Sequence, residues 1–277
     1  MLTKNEVKEL KNFATKIRIE TMRTIESIGV GHTGGSLSIA EVLSVLYGKV
    51  MNVDPKNPQW EDRDWMVMSK GHAGPALYST LGLKGYFPME DLLTLNRPGT
   101  NFPSHCDWTK TKGIDMTTGS LGQGTSSAMG IALGLKMNGK KSNVFLLVGD
   151  GESQEGQVWE AALFAAHWKL DNVIAFVDYN KQQIDGRVSE VNDIGDIEDK
   201  YRAFGWHAQS VDGHDVEAIY NAIEKAKEAT GRPSMIVLNT IKGKGYSALE
   251  GTPSNHNSSV SKEQLEEAIK EFEAQFV

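Results

Sequence analysis

The chain has 277 residues and a formal net charge of -7, with 39% hydrophobic and 23% charged residues. A chain of this length can bury a sizeable core, so we expect one large domain over residues 1–277. The acidic balance and the absence of a basic stripe disfavour nucleic-acid binding. No apolar run is long enough to cross a bilayer, which disfavours a membrane protein.

The first part of the chain predicts helices separated by glycine-rich turns. Apolar residues recur at helical spacing from Glu6 to Ile28, until the turn at residues 31–35 breaks the pattern. A buried helix is predicted over Ile39–Val50 and a short strand over Trp65–Met68. Residues 85–115 are rich in Pro, Gly, Asn and aromatic residues without periodicity, which indicates a long surface loop.

The remaining sequence alternates strands with helices. Strands are predicted at residues 143–148, 173–177, 207–211 and 234–239, and helices at residues 125–137, 156–168, 216–229 and 262–276. This alternation is typical of an α/β fold, a parallel sheet with helices on both faces joined by right-handed crossovers. No internal repeat or linker divides the chain.

The start of the sequence and its cysteine content bear on the cellular compartment. The segment from Met1 to Glu6 lacks the basic-then-apolar order of a secretory signal, which predicts a cytoplasmic protein. The single cysteine, Cys106, excludes an intrachain disulfide, and we expect it to be structural. Helical patterns near both ends lead us to expect a separately encoded polypeptide rather than a fragment.

Polar residues follow two neighbouring predicted strands. Asp150 stands between Gly149 and Gly151 at the end of one strand, and Asn180 ends the next. Alone, the tripeptide is more typical of a tight turn with a helix-capping aspartate. The second polar residue favours another interpretation, because adjacent parallel strands would bring both oxygens together. With backbone carbonyls and phosphate oxygens they could bind a hard cation such as Mg²⁺.

The order of the polar and glycine-rich motifs resembles transketolase. The motifs are Gly31-His32, Gly71-His72-Ala73, Gly119-Ser120-Leu121-Gly122-Gln123-Gly124, Gly149-Asp150-Gly151 through Gln154-Glu155-Gly156, Asp178-Tyr179-Asn180 and Ile184-Asp185-Gly186. The resemblance covers nearly the whole chain but only the amino-terminal, diphosphate-binding part of that family. It implies a thiamine-diphosphate-binding fold, with thiamine diphosphate held through Mg²⁺ or, as a substitute, Ca²⁺.

The resemblance also implies which residues bind these groups. The expected metal ligands are Asp150, Asn180 and the main-chain carbonyl of Gln182. The residues expected to contact the cofactor are His72, Gly119, Leu121, Gly149, Asp150, Gly151, Glu155 and Asn180. In this set His72 and the Gly151 amide meet the diphosphate, while Gly119 and Leu121 lie on the aminopyrimidine side. Glu155 is nearly as well explained as an exposed carboxylate at a helix N-terminus.

Histidines are the expected catalytic groups. An isolated histidine is more often structural, but several on glycine- or proline-flanked loops suit proton transfer and hydroxyl binding. The resemblance implies that His32, His72 and His105 line the substrate channel. His256 is the fourth candidate, although Asn257 follows it where the family usually has glycine. The other three, His167, His207 and His214, are interpreted as packing or loop-fixing residues.

The implied reaction is the transfer of a two-carbon ketol unit from a ketose phosphate to an aldose phosphate, as in the pentose phosphate pathway. The family's ylide-promoting glutamate and phosphate-binding arginines lie on a pyrimidine-binding domain, and the resemblance stops where that domain should begin. We therefore expect a carboxy-terminal, pyrimidine-binding partner subunit, with two copies of each chain. The alternatives are a related ketol transferase or synthase acting on another sugar phosphate, and a non-catalytic cofactor-binding module.

Overall fold

The computed structural model describes residues 1–277, and its centre is a sheet of five parallel strands. The strands of the structure are β1 (Val30–Gly31), β2 (Trp65–Met68), β3 (Val144–Gly149), β4 (Val173–Tyr179), β5 (Gln182–Gln183), β6 (Gly186–Arg187), β7 (His207–Asp212), β8 (Ser234–Asn239) and β9 (Ser258–Ser259). The central sheet has the order β2-β3-β4-β8-β7, and β1 with β9 and β5 with β6 form two small antiparallel pairs.

Ten α-helices surround the strands. They are α1 (Lys4–Glu26), α2 (Gly34–Leu37), α3 (Ala40–Val45), α4 (Gly74–Leu83), α5 (Gln123–Met137), α6 (Gly156–His167), α7 (Val188–Val191), α8 (Ile197–Ala203), α9 (Val216–Glu228) and α10 (Lys262–Glu273). A π-helical turn over Leu46–Val50 extends α3. Short 3₁₀ turns occupy Gly71–Ala73, Met89–Thr94, Glu152–Gln154 and Pro253–Asn255.

The central strands are apolar throughout because both faces of the sheet are covered. In β3, Phe145 and Leu147 belong to one hydrophobic core, and Leu146 and Val148 belong to the other. Residues of α1, α3, α4, α9 and α10 contribute to the first core, and residues of α5, α6 and α8 contribute to the second. The predicted α/β fold with helices on both faces is therefore confirmed.

The strand register gathers polar residues at one edge of the sheet. Gly149 at the end of β3 pairs with Asp178 of β4, and Tyr179 of β4 pairs with Asn239 of β8. The residues that follow these strands therefore leave the sheet at the same level. The carboxyl edge of a parallel sheet is where ligands bind in such folds.

Two stretches differ from the sequence-based expectation. Helix α4 was not predicted from the sequence. Residues Gly74 to Gly82 are all buried, so this helix has no polar face and its sequence lacks an amphipathic pattern. The prediction of a surface loop over residues 85–115 is wrong for part of that stretch. Its buried residues are Tyr86, Leu92, Leu95, Phe102, Cys106, Thr111 and Ile114.

A late segment of the chain returns to the first glycine-rich turn. Val30 of β1 pairs with Ser259 of β9, and the Thr33 hydroxyl donates a hydrogen bond to the Asn255 carbonyl at 3.2 Å. This pairing brings the segment that carries His256 beside the segment that carries His32. No helix in the structure is both long and apolar enough to span a membrane.

Candidate active site

A polar cleft of about 260 Å³ opens at the carboxyl edge of the sheet, and only two of its 17 lining residues are hydrophobic. The lining residues are His32, Gly35, Lys70, His72, His105, Gly119, Leu121, Gly149, Asp150, Gly151, Glu152, Asn180, Gln182, Gln183, Ile184, Lys242 and His256. The structure thus brings together every site residue expected from the sequence except Glu155.

Glycines let two of the loops approach closely. A Cβ atom on Gly71 would lie 2.6 Å from the Thr118 hydroxyl and 2.9 Å from the Gly119 amide, so no larger residue fits there. Gly119 also has a positive φ of 147°, which L side chains rarely adopt. The loop after β2 and the loop before α5 therefore meet backbone to backbone beside the cleft.

Four histidines form one side of the cleft, here called the histidine wall: His32, His72, His105 and His256. The His32 ring centroid lies 5.3 Å from that of His72, 5.4 Å from that of His105 and 5.5 Å from that of His256. The rings of His72 and His256 are 5.2 Å apart. His256 therefore lines the cleft, although Asn257 follows it where the family usually has glycine.

The wall is uncharged at neutral pH. Burial, with contributions from His105 and Lys242, lowers the pKa of His32 to about 4. Burial and the nearby Lys242 lower the pKa of His256 to about 4, and burial also lowers the pKa values of His72 and His105. A neutral imidazole offers one N–H donor and one acceptor, the combination needed to bind a hydroxyl or move a proton.

Lys242 is a cleft residue that the sequence analysis did not single out. Its side chain follows β8 and is only 3% exposed, and its Nζ lies 3.0 Å from His256 Nδ1 and 3.2 Å from the Gln182 carbonyl. Burial lowers the pKa of Lys242 to about 8. The ammonium group places positive charge at the boundary between the histidine wall and the Asn180–Gln182 segment, where it would attract an anionic ligand.

The expected metal ligands all line the cleft. Asp150 Oδ1 accepts a hydrogen bond from the Gly151 amide at 2.7 Å, and Asn180 Oδ1 accepts one from the Gln182 amide at 3.1 Å. Burial, followed by the charge of Asp178, raises the pKa of Asp150 to about 7. Burial and the Asp178 charge thus disfavour the ionised Asp150 carboxylate more than the Lys70 charge favours it, and a divalent metal bound there would stabilise the ionised form.

The donor set at this position fits a hard cation. No group of three or more His, Cys, Asp or Glu side chains is arranged to hold a metal. A metal bound here would draw on the Asp150 carboxylate, the Asn180 amide oxygen, the Gln182 carbonyl and oxygens of its ligand. Such mixed oxygen donors are typical of Mg²⁺ bound together with a phosphate group.

Beneath the cleft lies a buried polar cluster, here called the floor: Ser38, Lys70, Asp178 and Thr240. Asp178 Oδ2 accepts hydrogen bonds from the Lys70 ammonium at 2.6 Å and the Ser38 hydroxyl at 2.7 Å, and Oδ1 accepts one from Thr240 at 2.5 Å. Burial is the largest influence and by itself would raise the pKa of Asp178, but the Lys70 charge and the hydrogen bonds from Lys70, Thr240 and Ser38 together outweigh it and hold that pKa below its usual value.

The floor also orients a cleft residue. Asn180 Nδ2 donates a hydrogen bond to Asp178 Oδ2 at 2.8 Å, which fixes the amide so that its oxygen is the atom left for a cation. Lys70 Nζ additionally donates to the Gly35 carbonyl at 2.7 Å. Asp178 therefore links segments from three parts of the chain beneath the candidate metal site.

Glu155 is the one expected cofactor contact that the structure leaves outside the cleft. It is exposed at the N-terminus of α6, with its Cβ against the position where Gly122 would carry a side chain. Glu152, three residues earlier, is buried and lines the cleft instead. The 3₁₀ turn at Glu152–Gln154 determines which of these two acidic residues faces inward.

The remaining histidines lie outside the cleft. His214 Nδ1 lies 3.1 Å from Glu41 Oε2, and its Nε2 accepts a hydrogen bond from the Ile241 amide at 2.9 Å. These two bonds fix the loop that precedes Lys242, which agrees with the loop-fixing interpretation of His214. His207 lies on β7 and His167 in the last turn of α6.

Known proteins resemble the chain over nearly its whole length. A model of the thiamine diphosphate binding domain of transketolase matches residues 10–275. The 6-deoxy-6-sulfo-D-fructose transketolase subunit SqwG of Clostridium sp. (strain MSTE9) is 57% identical over 265 residues, which cover 96% of each protein. An apulose-4-phosphate transketolase subunit of Phocaeicola vulgatus is 36% identical over 266 residues, covering 96% of this chain and 94% of that protein.

A solved structure agrees with these sequence relatives. A variant of transketolase from Pichia stipitis superposes with a TM-score of 0.91 at 33% sequence identity. The match covers 95% of this chain but 40% of that longer chain. The chain therefore spans nearly the whole length of the relatives named as subunits, and less than half of the solved transketolase chain.

Proposed function

The chain belongs to the transketolase family, as an amino-terminal subunit with the thiamine-diphosphate-binding fold, and from that premise we propose its reaction. The chain binds thiamine diphosphate and Mg²⁺ as a single domain over residues 1–277. With a pyrimidine-binding partner subunit, it transfers a two-carbon ketol unit from a ketose to an aldose. The observation that carries the proposal is the neutral histidine wall standing beside the paired oxygens of Asp150 and Asn180 in one cleft.

The metal and the diphosphate are assigned to one end of the cleft. Asp150, Asn180 and the Gln182 carbonyl hold Mg²⁺, and the Gly151 amide and His72 bind the diphosphate. A Cβ on Gly151 would lie 3.1 Å from Gln183 Cβ, so glycine at this position lets the turn pack closely against Gln183. Gly119 and Leu121 contact the aminopyrimidine side. Thiamine diphosphate, when bound, supplies the nucleophile that cleaves the carbon–carbon bond of the ketose.

The histidine wall is assigned to the sugar. His32 and His105 bind hydroxyl groups of the ketose and move protons at its oxygen atoms, with His256 beside them. Their depressed pKa values keep the rings neutral near pH 7, so each ring can accept one hydrogen bond and donate another to a sugar hydroxyl. Lys242, 3.0 Å from His256, sets the electrostatic environment of that ring.

A second polypeptide completes the enzyme. Two relatives that match over nearly their whole length are named as transketolase subunits, which supports a partner here. We propose two copies of each chain, because closed twofold symmetry is the commonest arrangement of such assemblies. The partner supplies the ylide-promoting glutamate and the groups that bind the charged end of the substrate.

The donor sugar has two candidates. The general family reaction uses ketose phosphates, as in the pentose phosphate pathway. The identity of 57% to a subunit named for 6-deoxy-6-sulfo-D-fructose favours a donor that carries a sulfonate in place of the phosphate. A sulfonate carries one negative charge and a phosphate about two at neutral pH, so the two donors demand different cationic groups at the distal end of the site.

The binding step is tested with Asp150→Ala and isothermal titration calorimetry of the full chain with thiamine diphosphate and Mg²⁺. We expect cofactor affinity to fall by about a hundredfold or more, because the change removes both a charge and a metal ligand. The matched control is Asp199→Ala, an exposed aspartate on α8, which should bind like the wild type. Equal affinity of the Asp150→Ala and wild-type chains would reject the metal assignment.

The reaction is tested by mixing the chain with a candidate pyrimidine-binding subunit. Cleavage of 6-deoxy-6-sulfo-D-fructose and of xylulose 5-phosphate is followed with ribose 5-phosphate as acceptor. We expect no turnover by either polypeptide alone and turnover of one donor by the mixture. Turnover by the 277-residue chain alone would reject the need for a partner. A mixture that binds the cofactor but cleaves neither donor would point to the non-catalytic module or to another ketose.

A further inference from the structure

Glu152 is a buried carboxylate for which the proposed reaction has no use. It is 2% exposed and lies on the 3₁₀ turn that follows β3. Its Oε1 accepts hydrogen bonds from the Ser69 hydroxyl at 2.5 Å and the Gly122 amide at 2.9 Å, and its Oε2 accepts one from the Gly149 amide at 3.0 Å. The carboxylate thus joins three donors, and two of them are backbone amides.

The three donors come from three separate segments at the cleft. Ser69 follows β2, Gly122 precedes the first turn of α5, and Gly149 ends β3. Gly122 has a positive φ of 82°, so this sharp turn presents its amide to Glu152 in a conformation that few other residues adopt. The loop that contains Gly119 and Leu121 is therefore tied to the Gly149–Gly151 turn through one side chain.

We infer that Glu152 is a positioning residue that sets the distance between the aminopyrimidine-side loop, residues 119–122, and the diphosphate-side turn, residues 149–151. The inference rests on the proposed cofactor function. The side chain binds no ligand itself in this role. It holds the backbone of both segments so that a molecule long enough to touch both is bound in one geometry.

The substitution Glu152→Gln tests this role because an amide cannot replace this carboxylate. If the glutamine oxygen faces Ser69 and Gly122, its NH₂ group faces the Gly149 amide. If the oxygen faces Gly149, the NH₂ group faces the Gly122 amide. In both orientations one buried backbone N–H opposes another donor, which disfavours the native spacing by about a factor of ten to a hundred.

The experiment compares a long and a short ligand on the full-length chain. Calorimetry is performed with Mg²⁺ plus thiamine diphosphate, which spans both segments, and with Mg²⁺ plus inorganic diphosphate, which reaches only the second. For Glu152→Gln we expect the affinity for thiamine diphosphate to fall about tenfold to a hundredfold, and the affinity for inorganic diphosphate to change less than about threefold. The matched control is Glu160→Gln, an exposed glutamate of α6, which should leave both affinities unchanged.

A milder variant serves if Glu152→Gln does not fold. Ser69→Ala removes one donor and leaves both backbone amides bonded to the carboxylate, so the chain should keep its melting temperature. We expect the affinity for thiamine diphosphate to fall about twofold to fivefold and the affinity for inorganic diphosphate to stay unchanged. With the partner present, both variants should raise the cofactor concentration needed for half-maximal rate more than they lower kcat.

Each other result has a definite meaning. Equal losses for both ligands in Glu152→Gln and Ser69→Ala would show a general structural role and overturn the inference. Unchanged affinity for both ligands would overturn it too. If the wild-type chain binds inorganic diphosphate as tightly as thiamine diphosphate, the aminopyrimidine-side loop contributes nothing to binding. That result would overturn the inference, which depends on this contact. A wild-type chain that binds neither ligand would instead reject the proposed cofactor function.

Discussion

The floor and the histidine wall occupy the same edge of the sheet, and they use polar residues in opposite ways. In the floor, Asp178 accepts hydrogen bonds from Lys70, Ser38, Thr240 and Asn180 and is fully buried. In the wall, only two histidines have hydrogen bonds with other side chains: His105 Nδ1 lies 3.4 Å from the Ser104 hydroxyl, and His256 Nδ1 lies 3.0 Å from the Lys242 ammonium.

The difference separates stability from function within one site. A polar group whose bonding capacity is filled by protein contributes to a single folded geometry. A polar group left with free capacity in a cleft is available to a ligand. We therefore expect substitutions in the floor to act on folding and substitutions in the wall to act on turnover.

The largest effect is expected from Asp178→Ala in the floor. The change leaves the Lys70 ammonium, which is 1% exposed, without its counter-charge. Breaking a buried ion pair in this way costs about 3–5 kcal/mol in the free energy of unfolding. Urea denaturation followed by circular dichroism measures the loss. The control Glu224→Ala removes an exposed partner of Lys227 and should cost less than about 1 kcal/mol. Equal midpoints for the Asp178→Ala and wild-type chains would show that the floor does not stabilise the fold.

We expect His32→Ala and His72→Ala in the wall to reduce stability less than Asp178→Ala does, and to act mainly on turnover. Loss of a positioned proton donor or acceptor lowers kcat by about a hundredfold or more. The melting temperature should change little, because no buried charge loses its partner. Turnover of the reconstituted enzyme and thermal unfolding are measured on the same preparations. Stability losses that match the activity losses would assign these histidines to the fold instead.

The pH dependence of stability gives the smallest and most specific test. The folded-state pKa of His32 is about 4 and its ordinary value is 6.5, so the unfolded chain binds the proton more readily between these values. Protonation of His32 therefore favours the unfolded chain, so the stability of the folded chain is highest above pH 6.5 and falls as the pH drops through 6.5 towards 4. In His32→Asn, the unfolding midpoint should fall less steeply across this window than in the wild type. Parallel curves for the two proteins would contradict the depressed pKa.

Much of the scaffold could be predicted from the sequence because its signals are local. The strands Trp65–Met68 and Ser234–Asn239 have the predicted bounds, since each is a short apolar run between polar turns. The placing of Asp150 and Asn180 in one cleft could be predicted because adjacent parallel strands end at the same edge of a sheet. The pairing of Gly149 with Asp178 shows that both residues follow that edge.

Neither the floor nor the burial of Glu152 could be predicted. The partners in the floor are distant in sequence, and the direction of the Glu152 side chain depends on a turn. Lys70 and Asp178 are separated by 108 positions, and nothing near either residue indicates the other. Asp178 does interrupt an apolar strand, a signal that a buried charge needs a partner. Glu152 and Glu155 are both acidic residues in one short segment, and only the 3₁₀ turn decides which one is buried.

The pairing of β1 with β9 also has a consequence for the order in which the protein is made. The His32 segment leaves the ribosome early, but its partners, from Asn255 to Ser259, are synthesised more than 200 residues later. Contacts of such long sequence separation form slowly. The cleft therefore remains unassembled until residues 255–259 have been made, and a nascent chain carries its glycine-rich first turn uncovered until that segment emerges.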